Sequence, residues 1–295
     1  MKIAVGQLCS SSNLARNLET VLKIFNEAAQ SKSRILFLPE ATDYIARNAD
    51  HSRQLASDVQ SQFLTPLLNH IKQLKSSTYV SLGVHLPGNT SARVKNVHLL
   101  IDPEGTIVQQ YQKIHLFDVD VPNGPILKES NSVEPGSKIL DPFPINNDDR
   151  KDSFHLGLAI CYDIRFPELS LKLREKGANI LTFPSAFTTK TGDAHWEILT
   201  KARALDSQCF VINAAQCGKH DTGTVDGQKS AVVRESYGES IVVDAWGKVL
   251  ARASKYSDEP VQEYEVIYAE LNLSELEKTR QNMPLLEHRR PDVYK

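Results

Sequence analysis

The sequence predicts an α/β fold built on mixed β-sheets, and two observations carry that reading. Strand-like apolar runs alternate with amphipathic helical patterns through both halves of the chain, as in α/β proteins. A strand, Asp-x-x-Gly turn, strand pattern occurs twice, from Leu99 to Val108 and from Ile241 to Leu250. Such hairpins pair antiparallel, so the sheets are expected to be mixed, and two similar halves could stack sheet on sheet with helices outside. Hairpin turns use Asp and Gly in any fold, however, so two unrelated hairpins would give the same echo.

A first strand is expected at 3–8. From about Asn13 to Ala29, the residues Leu14, Leu18, Val21, Leu22 and Phe25 recur at three- and four-residue spacing, the stripe of an amphipathic helix. A second strand runs from Arg34 to Leu38, and a helical region lies between Asn48 and Lys75. Strands at 79–86 and 94–101 lead through Asp102-Pro103-Glu104-Gly105 into a strand from Thr106 to Tyr111. In the later half, strands are expected near 154–160, 179–183 and 209–215, helices near 167–176 and 193–207, and a hairpin at 240–251. Asp118 to Lys151 and Gln216 to Tyr237 show no clear period, and segments of that length in a compact domain are usually either functional or mobile. Asn146 to Lys151 is expected to be a solvated turn. No Gly/Ser- or Pro-rich linker cuts the chain, so residues 1–295 are expected to form a single domain.

A chain of 295 residues is long enough to bury a sizeable core. Its 34 basic and 36 acidic residues are interspersed and leave a net charge of −2, which gives no electrostatic footprint for nucleic acid or an anionic membrane. A small molecule is the expected partner. The first strand starts almost at Met1, leaving no room for a signal or transit peptide, and no apolar run approaches the length of a membrane span. A cytoplasmic location is therefore expected. Cys9, Cys161, Cys209 and Cys217 include no Cys-x-x-Cys pair and no His at zinc-ligand spacing, so neither a disulfide framework nor a metal site is expected. Each thiol is left available for chemistry.

Cys161 is the thiol whose setting stands out. The apolar stretch from Leu156 to Ile160 delivers it into a polar turn, and Pro167 primes a helix just beyond. Taken alone, a buried core thiol at the end of a strand is the more common occurrence. A nucleophilic thiol needs a base or a nearby cation, either a histidine or a carboxylate whose pKa is raised by burial. Glu40, directly after Ile35-Leu36-Phe37-Leu38-Pro39, is such a carboxylate at a strand end, though an exposed glutamate at a strand-to-loop junction fits the same pattern. Functional groups of α/β sheets gather at the carboxyl ends of strands. Lys113 enters an otherwise apolar and aromatic stretch, where a buried cation needs an anionic partner; its stem can equally lie along apolar surface with its head in water.

Glu40, Lys113 and Cys161, in that order and each at a strand end, resemble the nitrilase superfamily of carbon–nitrogen hydrolases. The resemblance runs along nearly the full chain and rests on Phe37-Leu38-Pro39-Glu40, on Tyr111-Gln112-Lys113-Ile114-His115-Leu116-Phe117-Asp118, and on Cys161-Tyr162-Asp163-Ile164-Arg165-Phe166-Pro167-Glu168. It implies a four-layer α-β-β-α sandwich with two mixed β-sheets, a homodimer joined through helical faces, and no metal or organic cofactor. It implies that Glu40 is general base and acid, Lys113 electrostatic stabiliser and Cys161 nucleophile. Glu129, in Leu127-Lys128-Glu129-Ser130-Asn131-Ser132, matches a further family glutamate that positions the lysine or the substrate. The implied reaction passes through a thioester, its oxyanion held by Lys113 and the backbone N–H of Tyr162.

Substrate choice is expected near the turn. Arg165 can offer a bidentate fork to a carboxylate, or it forms a structural ion pair with Glu168 or Asp163. The stretch from Phe183 to Gly192 looks like a second wall; Phe187 and Thr191 match substrate-contacting positions in relatives, although Phe187 also fits a core role. The segment from Phe117 to Ser130 is similar to the fungal branch of deaminated glutathione amidases, which release 2-oxoglutarate and cysteinylglycine. That implies a small-molecule amide with an α-keto acid moiety. An ω-amidase acting on 2-oxoglutaramate, a catalytically idle binding protein and a true nitrilase are the other readings.

Overall fold

The computed structural model describes residues 1–120, 126–145, 153–225, 228–229, 233–257 and 263–293. The turn expected from Asn146 to Lys151 lies outside them, as does part of each aperiodic segment.

Two six-stranded sheets form the centre. The first is ordered Tyr264–Glu270, Lys2–Leu8, Ile35–Phe37, Tyr79–Pro87, Val94–Ile101, Ile107–Gln112. The second is ordered Phe143–Ile145, Phe154–Leu158, Ile180–Thr182, Phe210–Asn213, Ile241–Val243, Val249–Arg252. Each holds three parallel strands flanked by one antiparallel strand on one side and an antiparallel hairpin on the other.

Successive side chains of a strand point to opposite faces, and here alternate residues join different cores. Ile3, Val5, Ile35 and Phe37 pack with Leu156, Leu158, Ile180 and Ile212 of the second sheet. Ala4, Leu8, Leu36 and Leu38 pack instead with Val21, Ile24, Phe25, Phe63 and Ile71 of the helical layer. Strands covered on both faces read as continuous apolar runs, which is why Ile35-Leu36-Phe37 carries no alternation. The outer face of the second sheet is covered by Pro167–Glu175 and Thr189–Ser207, through Leu169, Leu173 and Trp196. The layers are helix, sheet, sheet, helix, the sandwich expected above.

The hairpin echo is a structural duplication. Asp102 Oδ1 accepts from the N–H groups of Glu104 and Thr106 at 3.0 and 2.8 Å, and Asp244 Oδ1 accepts from those of Trp246 and Lys248, both at 2.9 Å. The strand register slips at Leu100/Ile101 in one hairpin and at Val242/Val243 in the other.

Several elements differ from expectation. The strand Tyr264–Glu270 and the helix Leu273–Asn282 were not anticipated. The region between Asn48 and Lys75 is broken by a π-helical turn at Gln60–Leu64. The aperiodic stretches hold short strands at Asp118–Asp120, Ile126–Lys128, Cys217–Lys219 and Glu235–Tyr237, besides the edge strand Phe143–Ile145. The helix expected near 193–207 starts earlier, at Thr189, because the Thr188 side chain accepts from the Thr191 N–H and caps it. No helix among the described residues is long and apolar enough to cross a membrane.

Candidate active site

Three strand ends converge where the two sheets meet. Glu40 lies three residues beyond Ile35–Phe37, and its backbone is held from two sides. The side-chain amide of Gln216 donates to the carbonyls of Glu40 and Ala41 at 3.0 and 3.1 Å. On the other side the neighbouring strand approaches through Gly83, where a Cβ would stand 2.6 Å from the Glu40 Cα. Only glycine permits that contact.

Cys161 follows Phe154–Leu158 and opens a short 3₁₀ turn, Cys161–Arg165. Its φ of +43° is the left-handed backbone that non-glycine residues rarely adopt. The turn is pinned: the Cys161 N–H donates to the Pro184 carbonyl at 3.0 Å, and the Ile160 N–H donates to Asp163 Oδ2 at 2.9 Å. Lys113 follows Ile107–Gln112, with its N–H on the Asn96 carbonyl and its own carbonyl accepting from Gly136.

The side chains meet in a buried cluster. Glu40, Lys113 and Cys161 are 6 %, 2 % and 8 % exposed. Lys113 Nζ donates to Glu40 Oε1 at 2.9 Å and to both oxygens of Glu129 at 3.1 and 3.0 Å. Glu129 also accepts from the Phe117 N–H at 2.7 Å. Asn96 Nδ2 bridges the two carboxylates, at 2.8 Å from Glu40 and 3.2 Å from Glu129. The Ala186 N–H reaches Glu40 Oε2 at 3.0 Å. Glu40 and Lys113 are the charged groups that act on the Cys161 thiol, so the base beside the sulfur is a carboxylate rather than a histidine.

Electrostatics place the proton on sulfur. Burial pushes the Cys161 thiol well above its usual range and the Glu40 charge adds to that, with Lys113 opposing only in part. For Glu40, burial alone would raise the carboxyl, but the Lys113 ammonium and the hydrogen bonds from Lys113, Cys161 and Asn96 outweigh it and hold the pKa below the ordinary carboxylate value. Burial does act to raise this carboxylate, but the adjacent cation wins. Lys113 is held protonated, its desolvation overcome by Glu129 and Glu40. The resting site is thus a neutral thiol against an ionised carboxylate beside a fixed ammonium.

Of the remaining expected residues, Tyr162 and Arg165 belong to the turn, and Phe187 and Thr191 lie before and within the start of Thr189–Ser207. The Tyr162 N–H sits in the first turn of the 3₁₀ helix, where N–H groups have no intrahelical partner; its ring packs edge-on against Phe117 and Phe166. Arg165 makes neither of the ion pairs considered from sequence. Its guanidinium lies 5.8 Å from the ring centroids of both Tyr162 and Phe187, and Nη2 is 3.2 Å from His195 Nδ1. Phe187 is buried edge-on against Trp196, and its carbonyl accepts from the Tyr237 N–H. Thr191 Oγ1 is 2.9 Å from Thr188 Oγ1, so its hydroxyl belongs to the capped start of the helix.

Sequence reasoning missed Asn96, Ala186 and Gln216. Asn96 left a trace, as a polar residue in a strand whose Val97, Leu99, Leu100 and Ile101 are buried. Ala186 and Gln216 left none, because one contributes backbone alone and the other acts across 176 residues of chain.

Known proteins resemble the chain along nearly its full length. Residues 2–281 match the carbon-nitrogen hydrolase family. The probable hydrolase nit2 of Schizosaccharomyces pombe is 42 % identical over 99 % of this chain and 98 % of its own length. The deaminated glutathione amidase of Mus musculus is 41 % identical, over 99 % of this chain and 84 % of its own. Among solved structures, the Caenorhabditis elegans NitFhit protein superposes with a TM-score of 0.84 at 36 % identity, covering 100 % of this chain, which spans 66 % of that one. Saccharomyces cerevisiae Nit3, a member of branch 10 of the nitrilase superfamily, gives 0.73 at 28 % identity, covering 98 % and 97 % of the two chains. With matching strand-end motifs, sandwich and relatives, the chain belongs to the carbon-nitrogen hydrolase family of the nitrilase superfamily.

Proposed function

We propose that this protein is an amidase that hydrolyses deaminated glutathione to 2-oxoglutarate and cysteinylglycine through a thioester on Cys161. The observation that carries the chemistry is one buried cluster of Cys161, Glu40 and Lys113, with Lys113 Nζ fixed 2.9 Å from the Glu40 carboxylate whose charge acts on the thiol. The substrate rests on the relatives about 40 % identical over nearly the whole chain that bear the name deaminated glutathione amidase.

Glu40 takes the thiol proton as Sγ attacks the amide carbonyl carbon, and the charge developing on oxygen is met by Lys113 and the Tyr162 N–H. The C–N bond then breaks as Glu40 returns the proton to the leaving nitrogen, releasing cysteinylglycine. Glu40 next deprotonates a water that attacks the thioester; the C–S bond breaks, 2-oxoglutarate leaves, and Cys161 recovers its proton. Glu129 and Asn96 keep Lys113 and Glu40 in register. Arg165, steadied between two aromatic faces, is assigned the carboxylate of the α-keto acid, with Phe187 and Thr191 on the same wall. The reading takes residues 1–295 as one domain, working as a cytoplasmic homodimer.

Comparison of kcat/KM on deaminated glutathione, 2-oxoglutaramate and a simple nitrile tests the assignment. Deaminated glutathione is expected to be preferred. Comparable or better turnover of 2-oxoglutaramate would make the protein an ω-amidase, and no turnover of any of them would leave an idle binding protein.

A further inference from the structure

Tyr111 and His115 stand two residues to either side of Lys113, and both donate to one buried carboxylate, Asp163, two residues after Cys161. The Tyr111 hydroxyl reaches Asp163 Oδ2 at 2.7 Å. The His115 N–H and Nδ1 reach Oδ1 at 3.2 and 2.7 Å. The fourth donor is the Ile160 N–H, at 2.9 Å from Oδ2, on the residue that precedes the nucleophile. Asp163 has no solvent exposure, so these four bonds fill its lone-pair sites. Its own N–H and carbonyl are taken up within the turn, by Ile160 and Phe166. His115 is further fixed by stacking on Phe166, ring centroids 3.7 Å apart.

We infer that Asp163 is a positioning residue for the amidase reaction, a buried latch that ties the nucleophile turn to the segment carrying Lys113. It touches neither the sulfur nor the ammonium. It acts by joining the residues that bracket Lys113 to those that bracket Cys161, so the oxyanion donor and the nucleophile cannot drift apart independently. A carboxylate suits this point because all four neighbours donate; an amide would turn an NH₂ group toward two of them. The inference rests on the proposed roles of Lys113 and Cys161, and the test separates the two.

The test is a double-mutant cycle of Asp163→Asn and Lys113→Ala, read as kcat and KM on deaminated glutathione, with folding checked by circular dichroism. Asp163→Asn is expected to lower kcat about a hundredfold with KM little changed, the effect of misplacing a donor by about 1 Å. In the Lys113→Ala background the same substitution is expected to cost almost nothing more, since the donor being positioned is gone. An equal loss in both backgrounds, or a loss carried by KM, would overturn the latch. If Asp163→Asn does not fold, Tyr111→Phe removes one of the four donors and runs the same cycle, with a smaller kcat loss in the parent and again none without Lys113. Near-normal turnover of Lys113→Ala by itself would overturn the oxyanion role instead.

Discussion

At the residue scale, Glu40 and Cys161 divide one proton in a way that has opposite consequences for two measurements. The Glu40 charge is one of the forces holding the thiol well above its usual pKa, after burial itself. Glu40→Gln removes that charge and also removes the base. Turnover is expected to fall by about 10²–10⁴-fold, the range for a lost general acid–base group. The pH midpoint for alkylation of Cys161 by iodoacetamide is expected to move down, because thiolate formation no longer faces a neighbouring anion while Lys113 remains. Opening the site to water would also lower the midpoint, so an unchanged urea denaturation curve for the variant is the accompanying check. A midpoint that rises or stays put would show that Glu40 does not control the sulfur.

At the element scale, the site depends on how closely two strands approach. Gly83 lies against Glu40 Cα and the Pro39 carbonyl, at 2.6 and 3.0 Å from where a Cβ would stand, and both neighbours are backbone that cannot rotate away. Gly83→Ala is expected to cost about 1–3 kcal/mol of stability, as overpacking does, and to lower kcat beyond what that accounts for by pushing Glu40 off Lys113. Chemical denaturation and steady-state kinetics on the same variant check both, and unaltered kcat would refute the strand-contact argument. The elements that hold Glu40 and Cys161 were legible because Ile35–Phe37 and Phe154–Leu158 are buried and advertise themselves as apolar runs. The start of the helix after Phe187 was not. Thr-Lys-Thr-Gly-Asp has the composition of a loop, yet Gly192 sits inside the first helical turns because Tyr237 packs where its side chain would be, 2.2 Å from the missing Cβ. The strand Tyr264–Glu270 was missed for a related reason: it is mostly half-buried, and its place is set by pairing with Lys2–Leu8 at the other end of the chain. Local pattern fixes local elements, whereas Asn96, Gln216 and this strand owe their positions to partners far away in sequence.

At the scale of the whole molecule, two buried histidines stitch separate parts together in their neutral form. His98 of the first sheet donates from Nδ1 to the carbonyl of Ala159, the residue after the second sheet's Phe154–Leu158, 2.8 Å away, and its Nε2 lies 2.6 Å from Ser81 Oγ. His220 likewise joins the Ser10 carbonyl to the Ser236 hydroxyl, both at 2.8 Å. Burial lowers each to about 4, against an ordinary value of 6.5. The unfolded chain therefore binds more protons than the folded one between those limits. The stabilisation is fully present above pH 6.5 and is lost as the pH falls toward 4, by roughly 3 kcal/mol for each histidine. His85 works in the opposite sense. Burial would lower it, but the Asp43 carboxylate 3.0 Å away raises it, so its contribution is complete below pH 6.5 and fades as the pH rises through its folded value. The net slope of wild-type stability against pH mixes these signs, and a substitution separates them. His98→Gln keeps a donor and an acceptor but does not titrate, so the loss of stability between pH 7 and pH 5 is expected to be clearly smaller than in the wild type. Urea denaturation at a series of pH values measures the difference, and the window stays above the range where most carboxylates protonate. An unchanged slope would mean that the bridge between the sheets does not require a neutral imidazole.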